Sequence, residues 1–86
     1  MYRVIWTATA RAELTAIWNA ASMSDNQLLI WATADLVYQL ERDPENVGES
    51  RHNNMRIMVS WPLAIWYEVV SSDKVVIYHI WRYRTA

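Results

Sequence analysis

The sequence predicts a two-layer α+β fold, in the order β-α-α-β-β-β, with a helix hairpin packed on an antiparallel sheet. Three observations predict it. Apolar residues recur at the helical period from Ala10 to Leu40, and from Met55 onward the period drops to two. Between these halves lies one polar, irregular stretch, Glu45 to Asn54, which holds the only glycine, Gly48. A period of 3.6 giving way to a period of 2 marks helices followed by strands. Helices and strands grouped rather than alternating point to α+β. Eighty-six residues, 53% of them apolar, are enough for one domain over 1–86 with a single core.

Each element has its own reason. Tyr2-Arg3-Val4-Ile5-Trp6 alternates and is β-branched or aromatic, so residues 2–6 read as a strand. Thr7 or Thr9 then offers a hydroxyl to an orphan amide and starts a helix over 8–22. Its stripe is Ala10, Leu14, Ile17, Trp18 and Ala21. Ser24 and Gln27 have the spacing of a capping box, and Met23 with Leu28 that of a hydrophobic staple, for a second helix over 24–42. The joint is so short that the two helices must form an antiparallel hairpin. Leu29, Thr33, Leu36, Val37 and Leu40 carry the second stripe, which stops before Asp43-Pro44 because proline disfavours helix in the residue before it.

Strands are expected over 55–61, 63–70 and 74–84. Pro62 marks a turn or an edge, having no amide hydrogen for the ladder. Ser71-Ser72-Asp73-Lys74 is a polar turn that pairs the last two strands as a hairpin. By parity, Met55, Ile57, Val59 and Trp61 share one face, and Arg56, Met58 and Ser60 the other. With Leu63, Ile65 and Tyr67 against the helices, Ala64, Trp66 and Glu68 fall on the open face. Ile57 and Val59 are then expected inward and Arg56 outward, where it could pair with Glu68. Arg82 and Arg84 share a parity that His79 opposes. Trp18, Trp31 and Trp61 are expected in the core, while Trp66 and Trp81 are expected partly exposed, as anchors for a bound chain or stacking surfaces for a base.

Composition excludes several chemistries. Zero cysteines remove disulfides, thiolate catalysis and the common zinc sites, and fit a reducing cytoplasm. Two histidines, His52 and His79, are too few for a histidine metal cluster. No stretch approaches the roughly 20 apolar residues of a membrane span, and no basic-then-apolar leader opens the chain. Charge is uneven: three arginines face seven carboxylates in residues 1–49, and five cations face two carboxylates in residues 50–86. That is either a solvated acidic helical face or a sheet half that meets a polyanion.

Four segments follow in order: Gly48-Glu49-Ser50-Arg51, Met55-Arg56-Ile57-Met58-Val59, Pro62-Leu63-Ala64-Ile65-Trp66-Tyr67-Glu68-Val69, and Val75-Val76-Ile77-Tyr78-His79-Ile80-Trp81-Arg82. Ahead of them stand Ala10-x-x-Glu13-Leu14-x-x-Ile17 and Leu40-x-x-x-Pro44. This series resembles the RelE/ParE family of small toxins, called plasmid-stabilisation proteins in some branches. The resemblance implies two helices against a curved antiparallel sheet, and the toxin half of a type II toxin–antitoxin pair, neutralised by a cognate antitoxin wrapped over it. Some branches are mRNA interferases that cleave in the ribosomal A site, and others poison DNA gyrase. The implied activity is a metal-independent, ribosome-dependent mRNA endoribonuclease. The alternative is a non-enzymatic binding module, either a gyrase poison or a toxin-like chain that only pairs with its antitoxin.

RNA cleavage of this kind needs a base for the 2′-hydroxyl, a cation for the phosphorane and an acid for the leaving oxygen. The resemblance assigns Arg56 and Arg82 to the phosphate, Glu49 or His79 to the base and Tyr83 to proton donation. Arg51, Trp66, Glu68 and Arg84 are left as phosphate or partner contacts. It calls for no cofactor and no metal, and the free chain is expected to form a homodimer about a two-fold axis.

Overall fold

The computed structural model describes residues 1–83. The order is β1 (Arg3–Trp6), α1 (Ala8–Ala20), α2 (Met23–Arg42), β2 (Glu49–Ser50), a 3₁₀ turn (His52–Asn54), β3 (Met55–Ser60), β4 (Leu63–Ser71) and β5 (Lys74–Arg82). Thr7 caps α1, its side chain accepting from the amide of Ala10. The cap of α2 is Ser22, which accepts from Asp25, and not Ser24, whose hydroxyl instead meets that of Ser22 at 3.0 Å. Met23 is solvent-exposed and staples nothing.

The five strands lie in the order β1-β5-β4-β3-β2. Three pairings are antiparallel, as expected, but β1 runs parallel to β5, so the sheet is mixed. No hairpin joins β1 to β5, and the cause is where β1 begins. The Tyr2 amide donates to Glu41 at the end of α2, and the Arg3 amide to Asp73 in the β4–β5 turn. β1 therefore starts where β5 starts and runs the same way. The expected loop after Pro44 also contains a short strand, β2, paired with β3 through Glu49↔Ile57 and Ser50↔Arg56.

α1 packs on β5, and α2 on β1, β3 and β4. The core comprises Ala10, Leu29, Leu36 and Leu40 from the helices, with Met58, Leu63, Ile65, Tyr67, Val75, Ile77 and Ile80 from the sheet. Two corrections follow from the register. Ser60 pairs with Leu63, Met58 with Ile65 and Arg56 with Tyr67, and residues directly opposite share a face. Arg56, Met58 and Ser60 thus face the helices, and Ile57 and Val59 the open side, the reverse of the expected parity. The Ser60 hydroxyl confirms this by donating to Asp35 of α2 at 2.7 Å. Trp31 and Trp61 are not core residues either, being 63% and 57% exposed, while Trp18 does pack against the core.

A bulge in β5 sets the remaining side chains. Trp66 pairs with His79 and Tyr67 with Ile77, leaving Tyr78 as the extra residue. The bulge switches parity, so Val75, Ile77 and Ile80 are all buried although an uninterrupted strand would put Ile80 opposite the other two. It also turns Arg82 toward the helices and His79 toward the open face.

Candidate functional site

The two arginines expected to share a phosphate do not meet. Arg56 sits opposite Tyr67 on one side of β4, and Arg82 opposite Leu63 on the other. Four positions along a strand is about 13 Å, before the lateral spacing of the strands is added. Each guanidinium also has a task beneath the sheet. Arg56 donates to the Ser50 hydroxyl at 2.8 Å and to the Gly48 carbonyl at 2.6 Å. Arg82 donates to Asp25, near the start of α2, at 2.9 Å.

Arg56 belongs to a buried clamp on the loop after α2. The Tyr67 hydroxyl donates to the Pro44 carbonyl at 2.7 Å. Burial pushes the Tyr67 phenol above its ordinary range, and the nearby charge of Arg56 pulls it back only in part. Gly48 lies so close that a Cβ there would come 2.5 Å from the Tyr67 hydroxyl and 2.9 Å from the Ile57 carbonyl. This clamp delivers Glu49 and Arg51 to the edge of the open face.

Of the expected residues, Glu49, Arg51, Tyr83, Trp66 and His79 do come to the open face or its rim. Glu49 and Arg51 form an exposed ion pair at 2.8 Å and, with Val59, Ala64, Trp81 and Tyr83, line a cleft of about 370 Å³. Tyr83 is held there through its amide, which donates to the Pro62 carbonyl at 2.7 Å. Trp66 and Trp81 are 39% and 37% exposed, as expected. His79 meets Trp66 edge-on, with ring centroids 6.3 Å apart, and its Nδ1 lies 3.2 Å from the Glu13 carboxylate. Glu68 is engaged by the Tyr78 hydroxyl at 2.8 Å and not by Arg56. That hydrogen bond pushes the Tyr78 phenol upward. Arg84 lies outside the described residues.

Sequence reasoning missed Glu13 as part of this surface. β1 ends at Trp6, so beyond Ile77 the edge of β5 lacks a strand neighbour, and Glu13 of α1 fills the gap by accepting the Ile80 amide at 3.1 Å. Only the parallel register of β1 reveals that role. The left-handed residues Asn53 (φ 58°) and Asn54 (φ 63°) close the turn before β3, and asparagine's tolerance of that region was the available signal. Among the described residues no group of three or more His, Asp or Glu side chains is placed to hold a metal ion.

No protein-family model and no curated protein matches this sequence. Solved structures do. A chain of the chromosomal ParDE TA system from P. aeruginosa superposes with a TM-score of 0.73 at 21% identity, covering 98% of both chains. A chain of the RelBE2 toxin-antitoxin complex from Mycobacterium tuberculosis gives 0.74 at 22% identity, covering 96% of this chain and 98% of that one. A copper-bound mutant toxin from Helicobacter pylori gives 0.60 at 11% identity, covering 95% and 94%. Two helices on a five-stranded mixed sheet, matched over nearly the whole described chain, give this protein the α+β fold of the RelE/ParE toxins.

Proposed function

We propose that this chain is the toxin of a type II toxin–antitoxin pair, acts in the cytoplasm, and uses the open face of its sheet to receive the antitoxin and meet its target. The observation that carries this reading is the inverted strand β3. It turns Ile57 and Val59 outward beside Trp66 and Trp81, while the two terminal nitrogens of Arg56 and the Ser60 hydroxyl are hydrogen-bonded on the helix side. An apolar sheet face rimmed by the Glu49–Arg51 and Glu13–His79 pairs suits a bound chain. The RelBE2 neighbour is a toxin-antitoxin complex and the ParDE neighbour a toxin–antitoxin system, which supports an antitoxin as the partner. No helix among the described residues is long and apolar enough to cross a membrane.

For the activity, the geometry favours target binding, as by a gyrase poison, over RNA cleavage. Among the described residues, Arg51 is the one arginine that lines the two open-face clefts, and Glu49 pairs with it. A pentavalent phosphorane calls for uncompensated positive charge. The second reading, ribosome-dependent mRNA cleavage, rests on Glu49, Arg51 and Tyr83 lining one cleft, where they would serve as base, phosphate contact and acid, with His79 as a second base. Expression without antitoxin separates the two. Growth arrest with gyrase-linked DNA breaks supports binding, and arrest with new mRNA ends supports cleavage. Full growth with soluble, folded protein removes the toxin reading.

A further inference from the structure

Beside the cleft at Glu49 the open face holds a second depression, lined by Glu13, Trp66, His79 and Trp81. We propose that it takes the guanidinium of an arginine presented by an extended segment of the partner. The proposal rests on the reading of the open face as a docking surface and names the side chain that surface selects.

The charge is fixed, and among the described residues a histidine alone faces it. One Glu13 oxygen, Oε1, accepts the Ile80 amide at 3.1 Å, and Oε2 lies 3.2 Å from His79 Nδ1. The carboxylate is therefore held in place without side-chain entropy left to lose, yet the side chain is 37% exposed. Its ion-pair partner among the described residues is His79 alone, and neither lysine nor arginine lines the depression. The nearest carboxylate along β4, Glu68, adds further negative charge to the same face. An acidic ligand would be repelled here, and an apolar one would strip water from Glu13 without replacing its hydrogen bonds.

The shape chemistry points the same way. Trp66 and Trp81 each leave more than a third of their surface open, and indole is the best of the aromatic rings for holding a cation over its face. His79 also lines the depression, and when its Nδ1–H donates to Glu13 the other ring nitrogen of the neutral imidazole is an acceptor. A planar guanidinium can stack on indole while donating to a carboxylate and to a ring nitrogen together. The compact, strongly hydrated ammonium of lysine cannot do both.

The test uses the isolated chain at pH 8 and two short peptides, acetyl-Val-Arg-Val-amide and the same peptide with norleucine in place of arginine. The readout is the indole N–H resonances of Trp66 and Trp81. The arginine peptide should shift both and bind about fivefold more tightly than the norleucine peptide. In Glu13→Gln, which keeps an oxygen for the Ile80 amide, that preference should disappear. In Trp66→Leu, at an exposed position, arginine binding should weaken. Equal affinity for the two peptides, no indole shift from either, or a preference that survives Glu13→Gln overturns the proposal. A chain that prefers arginine but arrests no growth would keep this inference and lose the toxin reading, and the reverse result would do the opposite.

Discussion

Gly48→Ala should be among the more damaging small substitutions in this protein, although Gly48 does not occupy the left-handed region. The damage comes from space. A Cβ would meet the Tyr67 hydroxyl at 2.5 Å and the Ile57 carbonyl at 2.9 Å. The carbonyl is backbone of β3, held by its pairing with Glu49, and cannot retreat. The hydroxyl can move only by leaving the Pro44 carbonyl, because the Tyr67 ring is fully buried. Overpacking of this kind costs about 1–3 kcal/mol, and a buried hydrogen bond lost with its acceptor left unpaired adds about 1 kcal/mol. The expected loss is therefore about 2–4 kcal/mol, a large share of the stability of so small a domain. Urea unfolding of wild type, Gly48→Ala, Tyr67→Phe and the double variant measures it. Removing the hydroxyl relieves the shortest of these contacts, though not that with the Ile57 carbonyl, so Tyr67→Phe should cost clearly less when Gly48→Ala is already present than in wild type. Additive effects, or a Gly48→Ala loss below about 0.5 kcal/mol, would refute the steric reasoning.

Alkaline titration should expose the same clamp. Burial raises the folded-state pKa of Tyr67, so its contribution is intact below the unfolded phenol's range near 10 and fades as pH rises toward the higher folded value. The stability advantage of wild type over Tyr67→Phe should shrink between pH 9 and 11, and a constant difference would contradict it. Arg82→Ala should lower the urea midpoint by the equivalent of about 1 kcal/mol, because its pair with Asp25 is less than a third exposed on either side. Arg51→Ala, whose pair with Glu49 is exposed, should leave the midpoint nearly unchanged while weakening growth arrest. Trp66→Ala should reduce self-association of the free chain, read by sedimentation under conditions where circular dichroism shows the variant folded.

Much of the architecture was legible because it rests on local signals. The period of the helical stripes, the short joint at Ser22 and the polar turn after β4 each act within a few residues, and each gave its element. What the sequence hid depends on long-range register. Nothing near Tyr2 or Trp6 announces that β1 runs parallel to a strand about seventy residues away. Nothing in the alternation of β5 marks Tyr78 as the extra residue that carries Arg82 to the helix side. The misplacement of Arg56 is different, since a signal was present. Trp61 and Pro62 form a two-residue connection, so Ser60 must pair with Leu63, which puts the even positions of β3 with the odd positions of β4. The apolar look of Ile57 and Val59 outweighed it.

That apolar look has a consequence for function. A strand that turns Arg56 and Ser60 toward the helices and Ile57 and Val59 toward the open side runs against the ordinary hydrophobic gain on folding, which favours the opposite facing. The inward polar groups need partners of their own: Gly48 and Ser50 take the two terminal nitrogens of Arg56, whose Nε has none, and Asp35 takes Ser60. A one-residue slip of β3 would bury Ile57 and Val59 and release Arg56 to water, but it would also lift Met58 from the core and undo the clamp on the 44–50 loop. The outward apolar face is thus maintained by specific contacts rather than tolerated by chance. On the proposed reading its burial falls to a second chain, which would stabilise the folded state by mass action on binding. An antitoxin covering this face would raise the unfolding midpoint of the chain, and two free copies would partly substitute for it.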